Sequence, residues 1–205
     1  MSPDPDQTFP PEIELALMHM PARVRPKMAA AFALDQRLGR IVAATTEPML
    51  GQMRLAWWRD MLGAPVGERP EGDAVLDAIG NLWVGEEEAL ISLVNAWEVM
   101  VVADELTPES LREYAQGRGA FWNSDHGQIW ALADAAIRVS DDSERATLLE
   151  MAAHPMQPSQ SGEPMPRGFR VLHALAKRAL RRGGRPLMEG RGASLIAMRA
   201  ALFGR

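Results

Sequence analysis

Cysteine is absent from the 205 residues, which excludes a disulfide scaffold, thiolate–zinc sites and a Cys nucleophile. The absence fits a reducing, cytoplasmic compartment. No apolar run approaches the roughly 18 residues of a membrane span. The N-terminus, with Asp4, Asp6 and four prolines by Pro11, lacks the basic and apolar stretches of a signal peptide. Also missing are a Gly-rich phosphate loop, a dinucleotide fingerprint and a Gly-x-Ser-x-Gly elbow. The histidines, His19, His126, His154 and His173, never pair at i+3 or i+4, so no metal site is expected from them. Sustained period-2 alternation is lacking, which argues against a sheet.

What is present is a chain that is 47% apolar, enough for a real core, with 22 basic and 27 acidic side chains. The net charge of −5 hides a split. From Pro166 to Arg205 ten basic residues face one acid, Glu189, a net of +9, while the first 165 residues carry −14. Such asymmetry admits two readings: an acidic body paired with its own basic tail, or a tail that meets an anionic partner.

Helical spacing recurs along the whole chain. Residues 1–11 read as a Pro- and Asp-rich arm, and 12–205 as a single α-helical domain. Helices are expected over 12–20, 27–41, 47–62, 73–79, 83–102, 108–121, 129–139, 143–153, 169–182 and 193–203. Thr107-Pro108-Glu109 supplies a cap, a first-turn proline and a first-turn acid. In the third helix Met49, Leu50, Met53, Trp57 and Met61 form one apolar side, which predicts Trp57 in the core and Trp58 sealing a neighbour. Glu86 to Glu88 read as a solvated first turn favoured by the helix dipole. Residues 154–168 form a Pro-rich loop. Helix 169–182 then gathers Leu172, Leu175, Ala176 and Ala179 on one face and Arg170, Lys177, Arg178 and Arg181 on the other. The fold class is all-α.

Two acidic patterns bear on chemistry. Asp73 and Asp77, four apart, can present both carboxylates on one helical face to Mg²⁺, or can belong to a capped, solvated helix. Asp141 and Asp142 follow a helix that holds Asp134 and Arg138. The run Arg54-Leu55-Ala56-Trp57-Trp58-Arg59-Asp60 is the most specific local feature, with Arg54 and Trp58 placed to stack.

That run resembles a segment of the squalene/phytoene synthase family. The likeness extends through Ala31-Phe32-Ala33-Leu34-Asp35-Gln36-Arg37-Leu38 and Glu47-Pro48-Met49-Leu50-Gly51-Gln52-Met53-Arg54. It continues in Leu111-Arg112-Glu113-Tyr114-Ala115 and in Gly127-Gln128-Ile129-Trp130-Ala131-Leu132. For catalytic members the resemblance implies a single-domain helical cage of the isoprenoid synthase type, with two Asp-rich helices that bind Mg²⁺ and two prenyl diphosphates. Departing diphosphate leaves concentrated negative charge that metal and cations stabilise.

This chain departs from the family at both motifs. Arg37-Leu38-Gly39-Arg40-Ile41 stands where the first carboxylates belong, leaving Asp35, and the second region keeps Asp134, Arg138, Asp141 and Asp142 at other spacings. The chain also reads as truncated between Val139 and Pro166. The pattern is similar to the branch whose mitochondrial member is an assembly factor for respiratory complex I. The implied protein is a non-catalytic binding or assembly factor, with a lipid-like ligand or a respiratory complex as its object and no cofactor expected.

The alternative is an active Mg²⁺-dependent prenyl transferase with a rearranged acidic site, which requires Asp35, Asp134 and Asp141 to converge on one cavity. Catalytic candidates are then Asp134, Asp141 and Asp142, and ligand-binding candidates are Asp35, Arg54, Trp58 and Arg138. A prenyl or other lipid ligand is one expected partner. A protein, or the anionic inner face of a membrane, is another, met through Arg170, Lys177, Arg178 and Arg181. Nucleic acid is not expected, because the cations lie on one helix without interleaved aromatics.

Overall fold

Proline occupies the first turn of four helices, at Pro11, Pro26, Pro48 and Pro108, where its missing N–H costs nothing. In the computed structural model, which describes residues 8–103, 105–122, 125–154 and 165–203, these starts help to punctuate an all-α fold. The elements are α1 (Pro11–Met18), α2 (Arg25–Ala43), α3 (Pro48–Gly63), α4 (Ala74–Leu82), α5 (Glu88–Val102), α6 (Pro108–Gly119), α7 (Asp125–Arg138), α8 (Asp142–Ala153), α9 (Arg167–Arg181) and α10 (Gly192–Phe203). Short 3₁₀ turns cover Val66–Glu68 and Ala120–Trp122, and no strand occurs among the described residues. The expected arm up to residue 7, and 155–164 of the Pro-rich loop, lie outside the described residues.

Side-chain caps fall where sequence chemistry puts them. Asp73 accepts from the Val75 and Leu76 amides, Thr107 from Ser110, and Asp141 from Ser143 and Glu144. Several boundaries differ from the periodicity: α7 begins at Asp125 rather than 129, α4 runs on to Leu82, and α5 begins at Glu88 rather than Trp83. Trp83 instead closes α4, and its indole N–H donates to the Lys27 carbonyl at 2.9 Å, which pins it to α2. Glu87 then precedes the helix and pairs with the buried Arg69 at 3.0 Å, so that position is tied rather than solvated.

The larger correction concerns α3. Its buried residues are Gly51, Leu55, Trp58 and Leu62, so Trp58 is 3% exposed and Trp57 is 41% exposed. Both faces of this helix are apolar, and periodicity alone does not choose between them. Gly51 decides. A Cβ there would lie 2.8 Å from the Thr45 methyl and 3.1 Å from Val101 Cγ1, so only glycine lets α3 approach α5 along that stripe. Arg59 ties the same pair of helices by donating to Asn95 at 2.7 Å and to Glu98. Met49, Leu50, Met53 and Trp57 are left facing outward.

The core runs between α2, α5, α6, α7 and α9 and is filled by rings. Phe32 meets Phe121 edge to face at 5.2 Å and Trp130 at 5.7 Å. Trp122 stacks on Trp130 at 5.3 Å and on Phe169 at 4.4 Å. Offset and edge contacts of this kind add about 0.5–1.5 kcal/mol each beyond area burial. The 3₁₀ turn after α6 carries Phe121 and Trp122 into this cluster.

Candidate functional site

Helix α6 presents Leu111, Tyr114, Ala115 and Arg118 on one buried face, so a guanidinium enters the core with an apolar stripe. Gly119 and Gly127 allow α6 and α7 to touch there: a Cβ on Gly119 would sit 2.7 Å from the Gln128 backbone nitrogen. Arg118 is 1% exposed and Asp35, from α2, is 4% exposed. Their pairing is a fork. Arg118 Nε donates to Asp35 Oδ1 and Nη2 to Oδ2, both at 2.8 Å.

The guanidinium makes further bonds. Arg118 Nη1 donates to Asp134 Oδ2 of α7 at 2.6 Å and to the Tyr114 hydroxyl at 2.7 Å. Asp134 Oδ2 accepts a further bond from Arg138 Nε at 2.8 Å, and Asp35 Oδ1 accepts the Trp97 indole N–H at 2.8 Å. The guanidinium carbon lies over the rings of Trp130 at 4.3 Å and Trp97 at 4.7 Å. Two cations and two carboxylates thus form one network, buried at Arg118 and Asp35 and open to solvent at Arg138.

The electrostatics follow from burial opposed by charge. Burial pushes the Asp134 carboxyl up, but the charges of Arg118 and Arg138 and their hydrogen bonds hold it below the usual carboxylate range. Burial pulls Arg118 down, and Asp35, Tyr114 and Asp134 more than reverse this, so it stays a cation. Burial raises the Tyr114 hydroxyl above its ordinary value, which keeps it neutral. None of these groups is poised to exchange a proton near neutral pH.

The expected site residues separate. Asp35, Asp134 and Arg138 come together around Arg118, beside an opening of about 250 Å³ lined in part by Gln36, Gly39, Arg40 and Trp97. Asp141 and Asp142 do not join them: Asp141 caps α8 and Asp142 pairs with Arg145, both exposed. Asp73 is outside its helix as the cap and bonds Arg37 at 3.2 Å, while Asp77 accepts the Gly72 N–H, so these two do not form a facing acid pair. Arg54 is exposed, and Trp58 turns inward edge to face with Trp57. Among the described residues no group of three His, Asp or Glu is arranged to hold a metal ion.

Sequence reasoning missed Arg118, Tyr114 and Trp97. One signal was available: a basic residue at i+4 from Tyr114 and i+7 from Leu111 sits on the apolar face of an amphipathic helix, where a cation needs a buried counter-charge. Comparison of the chain with protein-family models, characterised proteins and solved structures finds no match, so the reading of its function rests on this geometry and on the residue patterns.

Proposed function

We propose that this chain is a non-catalytic protein of the squalene/phytoene synthase type, a truncated isoprenoid-synthase-like cage acting as a binding or assembly factor. The observation that carries this reading is the Arg118 fork on Asp35 with Asp134 drawn to the same guanidinium. Mg²⁺ requires hard oxygen ligands in near-octahedral order. Here both oxygens of Asp35 already accept from Arg118, and Asp134 Oδ2 accepts from two guanidinium groups. The residues present do not fit the metal.

The filled interior supports the same reading. Phe32, Phe121, Trp122, Trp130 and Phe169 occupy the centre where a prenyl chain would need space. The opening of about 250 Å³ falls below the ~300–1,000 Å³ of typical small-molecule sites, which favours assembly over an enclosed lipid. Met49, Met53 and Trp57 form an outward stripe on α3, and Met and Trp are enriched at protein interfaces.

Purified protein incubated with farnesyl or geranylgeranyl diphosphate and Mg²⁺ is expected to release no pyrophosphate. Metal-dependent release that disappears in Asp134→Asn would refute the reading and favour an active prenyl transferase. That alternative draws on Asp35 and Asp134 meeting from α2 and α7, and it requires Arg118 to withdraw from both.

A further inference from the structure

Helices α9 and α10 supply most of the lining of a groove of about 510 Å³, to which neither Asp35 nor Arg118 contributes. Four cations line it: Arg170, Lys177 and Arg181, which fall at i, i+7 and i+11 on one stripe of α9, and Arg199 of α10. Its floor is apolar, made by Ala174, Ile196 and Ala200. No carboxylate lines it among the described residues. Arg178, expected on the same face, turns instead toward Gly190 in the α9–α10 connection and Gly192 at the start of α10.

Among the described residues, ion pairs of the α9–α10 segment run to Glu189 within the segment itself, from Arg182 at 3.1 Å and Arg185 at 3.3 Å. One polar atom in the groove wall, Arg170 Nε, is buried without a hydrogen-bond partner among the described residues. Burial, with His126 and Lys177 beside it, pushes the His173 imidazole down to about 4, so near neutral pH it is an uncharged ring. These are the features of a site that is completed by an acceptor-rich anion.

A second feature borders the first. Helix α10 buries its small residues, Ala193, Ala197, Ala200 and Ala201, and exposes its large ones: Leu195, Met198, Leu202 and Phe203, the last 74% exposed. On a helical wheel Leu195, Met198 and Leu202 form one ridge that adjoins Arg199 at the groove's edge. An isolated anion explains the groove but not the ridge. Nucleic acid would call for aromatics interleaved with the cations, whereas the apolar residues here form a separate strip. Cations beside a strip of Leu, Met and Phe match the interfacial zone of a bilayer, with head groups at one level and acyl chains below.

We propose that the α9–α10 surface docks the protein on an anionic phospholipid membrane, with a lipid phosphate in the Arg170–Lys177–Arg181–Arg199 groove and the Leu195–Met198–Leu202 ridge in the acyl boundary. Docking of this kind is independent of whether the cage performs chemistry. No helix among the described residues is long and apolar enough to cross a membrane, so contact is interfacial.

The test is co-sedimentation of the full chain with vesicles of phosphatidylcholine alone or mixed with phosphatidylglycerol. Binding is expected only with the anionic lipid, weakening as salt rises above about 0.1 M. A basic residue near such a surface contributes about 1 kcal/mol, or fivefold, so Lys177→Gln/Arg181→Gln/Arg199→Gln lowers the partition coefficient about 100-fold. Leu195→Ser/Leu202→Ser, which keeps every cation, is expected to lower it at least about tenfold. All five positions are exposed, and unchanged circular dichroism checks that the variants fold. Failure to bind anionic vesicles overturns the proposal. So does loss through the cation variant alone, which would mark a soluble-anion site, or a dimer that the Leu195/Leu202 variant dissociates, which would mark a self-interface.

Discussion

Replacing Arg118 with methionine removes the cation that Asp35 and Asp134 share, while keeping an unbranched side chain against Trp97 and Trp130. Asp134 retains Arg138, so the larger loss falls on Asp35, which keeps only the Trp97 N–H. Breaking a buried pair by deleting one partner costs about 3–5 kcal/mol, because the remaining charge is left desolvated. Against a total stability of about 5–15 kcal/mol that is a large fraction. For a chain of this size it corresponds to a fall in Tm of roughly 6–20 °C. Thermal and urea unfolding followed at 222 nm would measure it. If the cost is the orphaned charge, Asp35→Asn in the Arg118→Met background restores at least about 2 kcal/mol, since the amide stays neutral and still accepts from Trp97.

The same variant carries a pH signature. In the native protein Asp134 is held below its unfolded value, so its contribution is complete above about pH 4 and is lost as pH falls through the lowered value. Without Arg118, burial is opposed by Arg138 alone, and the carboxyl rises. The folded variant then takes up protons earlier than the native chain, and the stability gap between them narrows as pH drops through the carboxylate range. An Arg118→Met protein within about 1 kcal/mol of wild type at pH 7, or one that Asp35→Asn fails to rescue, would refute the account of a charge network holding α2, α6 and α7 together.

The two tryptophans of α3 are expected to separate sharply. Trp58→Ala, at 3% exposure, costs about 3–5 kcal/mol in chemical denaturation, and Trp57→Ala, at 41%, costs under about 1 kcal/mol. Equal losses would mean that the outward stripe of α3 is covered in the protein as it exists. Asp73→Ala removes the acceptor of the Val75 and Leu76 amides and lowers stability by about 1 kcal/mol, whereas Asp73→Asn, which still caps, stays within a few tenths.

Local signals were legible wherever they were short in range. First-turn prolines, the caps at Asp73, Thr107 and Asp141, and the apolar face of α9 all sit where spacing puts them, because each depends on neighbours within a turn or two. The face of α3 was not legible. Two apolar stripes compete there, and the choice depends on Thr45 and Val101 lying close to Gly51. The partnership of Arg118 with Asp35, 83 positions away, was likewise invisible as a pair, although the cation on an apolar stripe was on view.

The amino-acid sequence by itself determined an all-helical chain, its punctuation, and a basic C-terminal segment set against an acidic body. Those properties follow from composition and from interactions along single helices. Only the tertiary structure decided what the charges do. It places Asp35 and Asp134 around a guanidinium instead of facing open space, and keeps Asp141 and Asp142 on the surface as a cap and a short ion pair. It also sets cations of α9 in one groove with Arg199 of α10, beside the exposed Leu195, Met198 and Leu202 of that helix. The physical reason is that a charge acquires its role from its burial and its nearest counter-charge, and both are set by which helix faces pack together.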